Sequence, residues 1–251
     1  MSDTIEVPCV ACGNPVTLER PNTGDPVLDR LYMRIARQVS HTACFQQASH
    51  ARQLREATLR LQQRANKWSL LCEPFYQSSH EWIQTAAAGR KINLRAHQSS
   101  MAWEYGERGL FLYGCQSGTG KTTTAWLLLK REFMGGRMIV AMSHGEFTRM
   151  ATLLARENNR ESLVWAKTVA QCDLLFIDDL GKSRFQTGNG DGKAAEEFLF
   201  ELINDRISGQ RPCLFTSNSN GQDLAEKMSQ ERSEPFLRRL REFCLAVNFD
   251  K

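Results

Sequence analysis

The run Gly114-Cys115-Gln116-Ser117-Gly118-Thr119-Gly120-Lys121-Thr122 places three glycines, a lysine and a threonine in the order that holds phosphates. Glycines let the backbone wrap closely, so that its N–H groups point inward at an anion. A helix opening at the end of the loop adds partial positive charge. Lys121 brings a point charge to the β- and γ-phosphates, and the Thr122 hydroxyl is a ligand for Mg²⁺. Cys115, Gln116, Ser117, Gly118, Thr119, Gly120 and Thr123 complete the expected cradle. The spacing G-x-x-x-x-G-K-T puts its first glycine at position 115, where this chain has Cys115. Gly114 stands one step earlier, so a slightly irregular loop is expected.

About 55 residues on, Leu174-Leu175-Phe176-Ile177-Asp178-Asp179 is an apolar strand ending in two acids. Carboxylates at the C-terminal edge of an open sheet lie where such sheets bind ligands. Asp178 is the expected Mg²⁺ holder, and Asp179 the group that orients or activates the attacking water. Cys213-Leu214-Phe215-Thr216-Ser217-Asn218 is a further strand with a polar end, and Asn218 is the candidate for positioning that water. In Pro235–Arg241 three arginines stand on a short helix. They read either as a solvated basic surface or as a source of an arginine finger, a rigid cation that stabilises transition-state charge in a neighbouring subunit.

A second chemistry lies near the N-terminus. Cys9-Val10-Ala11-Cys12-Gly13 is a C-x-x-C knuckle and His41-Thr42-Ala43-Cys44 an H-x-x-C pair, separated by 28 residues. Two such pairs complete a tetrahedral Cys₃His zinc site of the closed, structural kind. A segment this small needs a staple to fold, which favours metal over a redox thiol pair. His50 is near enough in sequence to stand in for His41.

The elements that must position these groups fall into three zones. Residues 1–50 form the metal module, with a helix expected over Pro26–Val39. Residues 51–106 form a basic helical linker, its first helix (51–68) carrying Leu54, Ala57, Leu61, Ala65 and Trp68 on one stripe and Arg52, Arg55, Arg60, Arg64 and Lys67 largely off it. Residues 107–251 alternate short apolar strands with helices, which implies a parallel sheet covered on both faces, an α/β fold. Strands are expected at Gly109–Tyr113, Arg137–Met142, Leu174–Ile177, Cys213–Thr216 and Leu245–Phe249, with helices at Lys121–Phe133, Glu146–Glu157 and Ala194–Ile207.

Composition bounds the remaining choices. The 251 residues are 41% hydrophobic and 24% charged, enough for a substantial core and unlike a disordered or collagenous chain. No run of 18 apolar residues offers a transmembrane helix, and the polar N-terminus lacks the basic and apolar regions of a secretory signal. A cytoplasmic location with reduced thiols is therefore expected for the eight cysteines. The net charge of +4 is unevenly spread: residues 1–44 carry −1, residues 45–100 carry +5, and the rest is neutral. The basic excess suits DNA phosphates or an acidic partner helix as well as a solvated surface. The loop Gly181–Lys193, with Lys182, Arg184, Phe185 and Lys193 among glycines, reads as a surface loop or as a contact for single-stranded DNA.

Residues from about 75 to 251 resemble the AAA+ ATPases of the helicase-loader group, the DnaC, DnaI and IstB-like proteins. The resemblance rests on Leu112 through Thr122, Leu175 through Lys182, Phe215-Thr216-Ser217-Asn218 and Arg239-Leu240-Arg241-Glu242-Phe243-Cys244. It implies that Lys121 and Thr122 are Walker A residues, Asp178 and Asp179 Walker B, and Asn218 sensor 1. Arg239 best fits the arginine-finger position, with Arg238 next. It further implies a P-loop NTPase core with sheet order 5-1-4-3-2, ATP-dependent homo-oligomers, and no C-terminal helical lid, since few residues follow Asn248. The implied function is a helicase loader that binds and slowly hydrolyses Mg·ATP at subunit interfaces to remodel a replicative helicase on single-stranded or duplex DNA. Two alternatives share the scaffold: a transposition helper on target DNA, and a zinc-dependent DNA-binding adaptor whose nucleotide site acts as a switch.

Overall fold

The structure, a computed structural model, describes residues 3–20, 41–71, 92–106, 108–182 and 191–250. It divides into two compact units, Met1–Gln63 and Arg64–Lys251. In the first, β1 (Asp3–Pro8) and β2 (Pro15–Arg20) pair antiparallel, with Val7 opposite Val16. The turn between them is the C-x-x-C knuckle, closed by Cys9 N–H to the Asn14 carbonyl (2.8 Å) and Gly13 N–H to the Cys9 carbonyl (2.8 Å). Helix α1 (Thr42–Leu71) starts at the H-x-x-C pair, well before the expected residue 51, and the division between the units falls inside it. The helix expected over Pro26–Val39 lies outside the described residues. Of the apolar stripe read on α1, Trp68 is buried and Ala57 exposed, while the side chains of Leu54, Leu61 and Ala65 lie outside the described set.

In the second unit the last turns of α1 join the core. Trp68 packs edge-on against Trp126 (5.7 Å between rings) and beside Phe133, and an Arg64 guanidinium nitrogen donates to the Met134 carbonyl (2.9 Å). Then follow α2 (Leu94–Met101), β3 (Gly109–Tyr113), α3 (Lys121–Met134), β4 (Ile139–Ser143), α4 (His144–Glu157), α5 (Arg160–Gln171), β5 (Leu174–Asp178), α6 (Asp191–Ser208), β6 (Cys213–Ser217), α7 (Gly221–Ala225), α8 (Gln230–Phe243) and β7 (Cys244–Asn248). The sheet is wholly parallel with order β4-β5-β6-β3-β7. Numbered within the sheet and read from β7, that is 5-1-4-3-2, the order the resemblance implies.

Alternation along the strands divides the core into two layers. Phe111, Leu175, Ile177 and Phe215 face one side, with Phe147, Leu199, Leu202, Ile203, Phe236 and Leu240 from α4, α6 and α8. Leu110, Leu112, Phe176 and Leu214 face the other, with Ala125, Leu128 and Leu129 of α3. Each fully buried Leu or Phe contributes roughly 1.5–3 kcal/mol. The three fully buried α3 residues thus hold that helix firmly against the sheet, with its N-terminus at the strand ends. Helix α5 has no counterpart in the sequence reading. It fully buries Ser162 and Val169, packs Trp165 and Ala170 against the core, and exposes Leu163 and Val164, so its apolar stripe is blurred in the sequence. Among the described residues no helix is long and apolar enough to cross a membrane.

Candidate functional site

The phosphate loop leaves β3 and enters α3 at Gly120, whose φ of +98° is a left-handed value that suits glycine. Helices α2, α4, α5 and α7 each have a first-turn N–H capped by an Asn or Ser side chain (Asn93, Ser143, Asn159, Asn220). Helix α3 has no side-chain cap, so its leading N–H groups face the loop with their partial positive charge. The buried Lys121 Nζ donates to the Gly114 carbonyl (3.0 Å), the Gln116 carbonyl (2.9 Å) and, at 3.5 Å, Thr119 Oγ1. Burial lowers the pKa of this amine, and the nearby Asp250, Asp179 and Asp178 carboxylates draw it back up. An anion in the loop therefore meets a partly desolvated ammonium, a stronger partner than one in water. Cys115, Gln116, Ser117 and Gly118 are exposed along the loop, Thr119 is buried, and Thr122 and Thr123 are half-buried on the first turn of α3. Asp250, which no sequence signal marked, accepts the Gln116 N–H on Oδ1 (3.1 Å).

The structure brings Thr122 and Asp178 together: the hydroxyl donates to Asp178 Oδ1 at 2.9 Å. Thr216 also donates to Asp178 Oδ1, and it accepts the Asp179 N–H at 2.9 Å. Burial pushes the Asp178 carboxyl above the ordinary carboxylate range; the Thr216 and Thr122 hydroxyls oppose that shift, and the charge of Asp179 adds to it. An oxygen pair of this kind, hydroxyl and carboxylate at the strand ends, matches the hard ligands Mg²⁺ takes. Asp179 has a φ of +55°, uncommon without glycine, and its carboxylate pairs with Lys182 Nζ at 2.9 Å. Thr216 joins both acids without any mark in the sequence. Its partners lie 37 and 38 residues away, and a threonine near a strand end carries no signal of its own.

The other expected residues stand apart. Asn218 is exposed just past β6, and among the described residues no hydrogen bond joins its side chain to Asp178 or Asp179. Arg239 lies on α8, pairs with Glu242 at 3.3 Å, and keeps its Nε buried with no hydrogen-bond partner among the described residues. Arg238 is more exposed, with Glu242 at 4.0 Å. Arg184 and Phe185 of the basic loop lie outside the described residues.

In the N-terminal unit Cys9, Cys12, His41 and Cys44 converge, their ligand atoms all within 4.8 Å of one another. His41 Nδ1 is 3.6 Å from Cys12 Sγ and 3.9 Å from Cys44 Sγ. Zn–S and Zn–N bonds of about 2.3 and 2.0 Å in a tetrahedron put neighbouring ligand atoms roughly 3.5–3.8 Å apart, so the set needs little closure to fit. The other ring nitrogen, Nε2, lies 3.1 Å from the Pro15 carbonyl. Donation there leaves Nδ1 as the lone-pair atom facing the sulfurs, the arrangement metal-bound histidines use. Burial raises the Cys9 thiol, but the N–H groups of His41, Ala11 and Cys12 outweigh it and bring it down to about 6. The hydrogen bond with Cys12 is the main cause that pushes Cys44 up to about 11. The side chain of His50 lies outside the described set.

No curated protein matches the chain by sequence. Among solved structures it is similar to DnaI (18% identity, TM-score 0.48, 63% of this chain and 80% of that one). It is also similar to the DnaC helicase loader (20%, 0.48, 62% and 87%) and to AMPPCP-bound DnaA from Aquifex aeolicus (18%, 0.47, 61% and 44%). The family model described as "ATPase family associated with various cellular activities (AAA)" matches residues 110–238, which hold the phosphate loop, both acids, Thr216 and most of α8. The chain belongs to the AAA family of ATPases.

Proposed function

We propose that this ATPase is a helicase loader. The observation that carries the nucleotide part is the convergence of Thr122, Asp178 and Thr216 beside a loop whose lysine is buried. In this reading the loop N–H groups and Lys121 bind the β- and γ-phosphates, and Thr122 and Asp178 hold Mg²⁺. The metal supplies a Lewis acid that neutralises charge developing on the phosphates. Asp179 orients or activates the attacking water, Asn218 at the end of β6 helps to position it, and Arg239 reaches the nucleotide of a neighbouring copy. The first 50 residues form the zinc module, residues 51–106 the basic linker, and residues 107–251 the ATPase core.

The loader assignment is supported by the order and spacing of the four motif blocks, with a cysteine–histidine module and a basic helix ahead of them. On α1 the Arg52, Arg55, Arg60 and Lys67 side chains are exposed, a surface suited to an acidic partner or to DNA. The test is a pull-down of the full chain with the replicative helicase of its host, with and without Mg·ATP, beside Lys121→Ala. A nucleotide-sensitive complex that Lys121→Ala impairs is expected. Absence of a helicase complex, together with ATP-dependent assembly on duplex DNA, would favour the transposition helper.

A further inference from the structure

We propose that Lys227 is a positioning residue for hydrolysis, its ammonium tying the Asp179–Gly181 turn to the segment that enters α8. This rests on the ATPase reading above and extends it to how the water-activating turn is held. Four backbone groups of that turn are taken up by residues 216–227, while the Asp179 carbonyl accepts the Lys182 N–H (3.0 Å). The Asp179 N–H donates to Thr216 Oγ1 (2.9 Å), and the Leu180 N–H to the Thr216 carbonyl (2.7 Å). The Leu180 carbonyl accepts from Ser217 Oγ (2.6 Å), and the Gly181 carbonyl from Lys227 Nζ (2.7 Å). Gly181 has a φ of +76°, and a Cβ there would lie 2.3 Å from Leu224 Cδ1, so the turn closes directly on α7.

Lys227 makes a second bond, to Ser219 Oγ at 2.6 Å, and the Ser219 N–H in turn donates to Ser217 Oγ at 3.0 Å. Thr216, Ser217 and Ser219 are all buried, so these groups have little water to turn to if a partner is lost. One ammonium thus joins the turn that carries Asp179 to the chain two residues before Ser229, the N-cap of α8. That cap is fixed by Glu196 Oε1, which accepts both the Ser229 N–H (3.0 Å) and its hydroxyl (2.5 Å). Helix α8 carries Arg239, so the Lys227 tie links the Asp179 turn to the chain entering the helix that presents this arginine. Asp179 keeps an uncommon backbone angle that a loosened turn would release.

The test compares Lys227→Met, similar in length without donors, with Lys227→Arg, which keeps the charge and the donors. Mg·ATP Kd, kcat, thermal midpoint and amide exchange of Leu180 and of residues 230–233 are measured on the full chain. In Lys227→Met, Kd should stay within about twofold while kcat falls at least about tenfold, a loss confined to the step after binding. Amide exchange at Leu180 and in the first turn of α8 should accelerate at least about tenfold, and Lys227→Arg should restore most of both effects. Unchanged kcat and exchange overturn the proposal. So does a parallel loss of binding, turnover and thermal midpoint that arginine fails to rescue, which marks a support of the fold only. A wild-type protein that does not bind Mg·ATP refutes the ATPase reading instead; exchange, measured without nucleotide, still decides whether Lys227 holds the turn to α8.

Discussion

Thr216→Val removes one hydroxyl and leaves the side-chain shape nearly intact, so its effect isolates two hydrogen bonds. One goes to the Asp178 carboxylate and one is accepted from the Asp179 N–H. A bond to a charged group is worth about 1.5–3 kcal/mol, and a buried N–H without its partner costs about 1–3 kcal/mol. Part of this appears as stability. A loss of about 2 kcal/mol lowers the thermal midpoint by roughly 4–8 °C for a unit of this size. The part that displaces the acids appears in turnover, where about 1.4–2.7 kcal/mol corresponds to a fall of about 10- to 100-fold in kcat.

The same variant moves a pH profile in a known direction. Burial already holds Asp178 above the usual carboxylate range, and the Thr216 hydroxyl counteracts that by favouring the ionised form. Without it the carboxyl binds its proton at higher pH, so the acid limb of activity shifts upward. Turnover of Mg·ATP between about pH 5 and 8 is the assay, with Thr216→Ser as the rescue. Turnover above half of wild type in Thr216→Val, with an unmoved acid limb, would show that Thr216 does not set the acids.

Three further outcomes are expected. The wholly buried Arg206 donates to the carbonyls of Val169 in the last turn of α5 and of Cys172, Asp173 and Pro212, just before β5 and β6. Arg206→Met leaves those acceptors stranded, and although it relieves the desolvation of a buried charge, a net loss of about 3–5 kcal/mol is expected by urea denaturation; a change under about 1 kcal/mol refutes the clamp. His144 is buried and its pKa is brought down to about 4 by burial, with Asp179 opposing and Lys227 reinforcing. The unfolded chain takes this proton first, so stability is full above about pH 6.5 and drains away toward pH 4, a difference on the order of 3 kcal/mol that His144→Gln should remove from the urea midpoints. Metal analysis should find about one zinc per chain, lost in Cys12→Ser together with protease resistance of residues 3–20; metal-free wild-type protein ends the zinc assignment.

The phosphate loop, the acidic strand end and the knuckle were legible because each is a run of adjacent residues whose spacing carries its chemistry. The same holds for the parallel sheet, whose central strands β3, β5 and β6 are buried on both faces and so read as short apolar runs between helices. Helix α5 was not legible, because its inward face, Ser162, Trp165, Val169 and Ala170, is only partly apolar, and the exposed Leu163 and Val164 blur the period. Nor was the start of α1 at Thr42, set beside a cluster whose partners lie about 30 residues earlier.

Residue types in order thus specify which chemistry the chain carries: a lysine and threonine after glycines, two acids after an apolar strand, three thiols and an imidazole. Long-range folding specifies which atoms meet. It places Thr216 on Asp178 across 38 residues, Lys227 on Gly181 across 46, and His41 Nε2 on the Pro15 carbonyl so that Nδ1 faces the sulfurs. A hydrogen bond needs its atoms within about 3.5 Å at a workable angle, and only the packed sheet and helices confine side chains that tightly. Local spacing constrains neighbours along the chain, whereas Thr216 meets Asp178, and Lys227 meets Gly181, only through the packing that brings β5, β6 and the segment around α7 together.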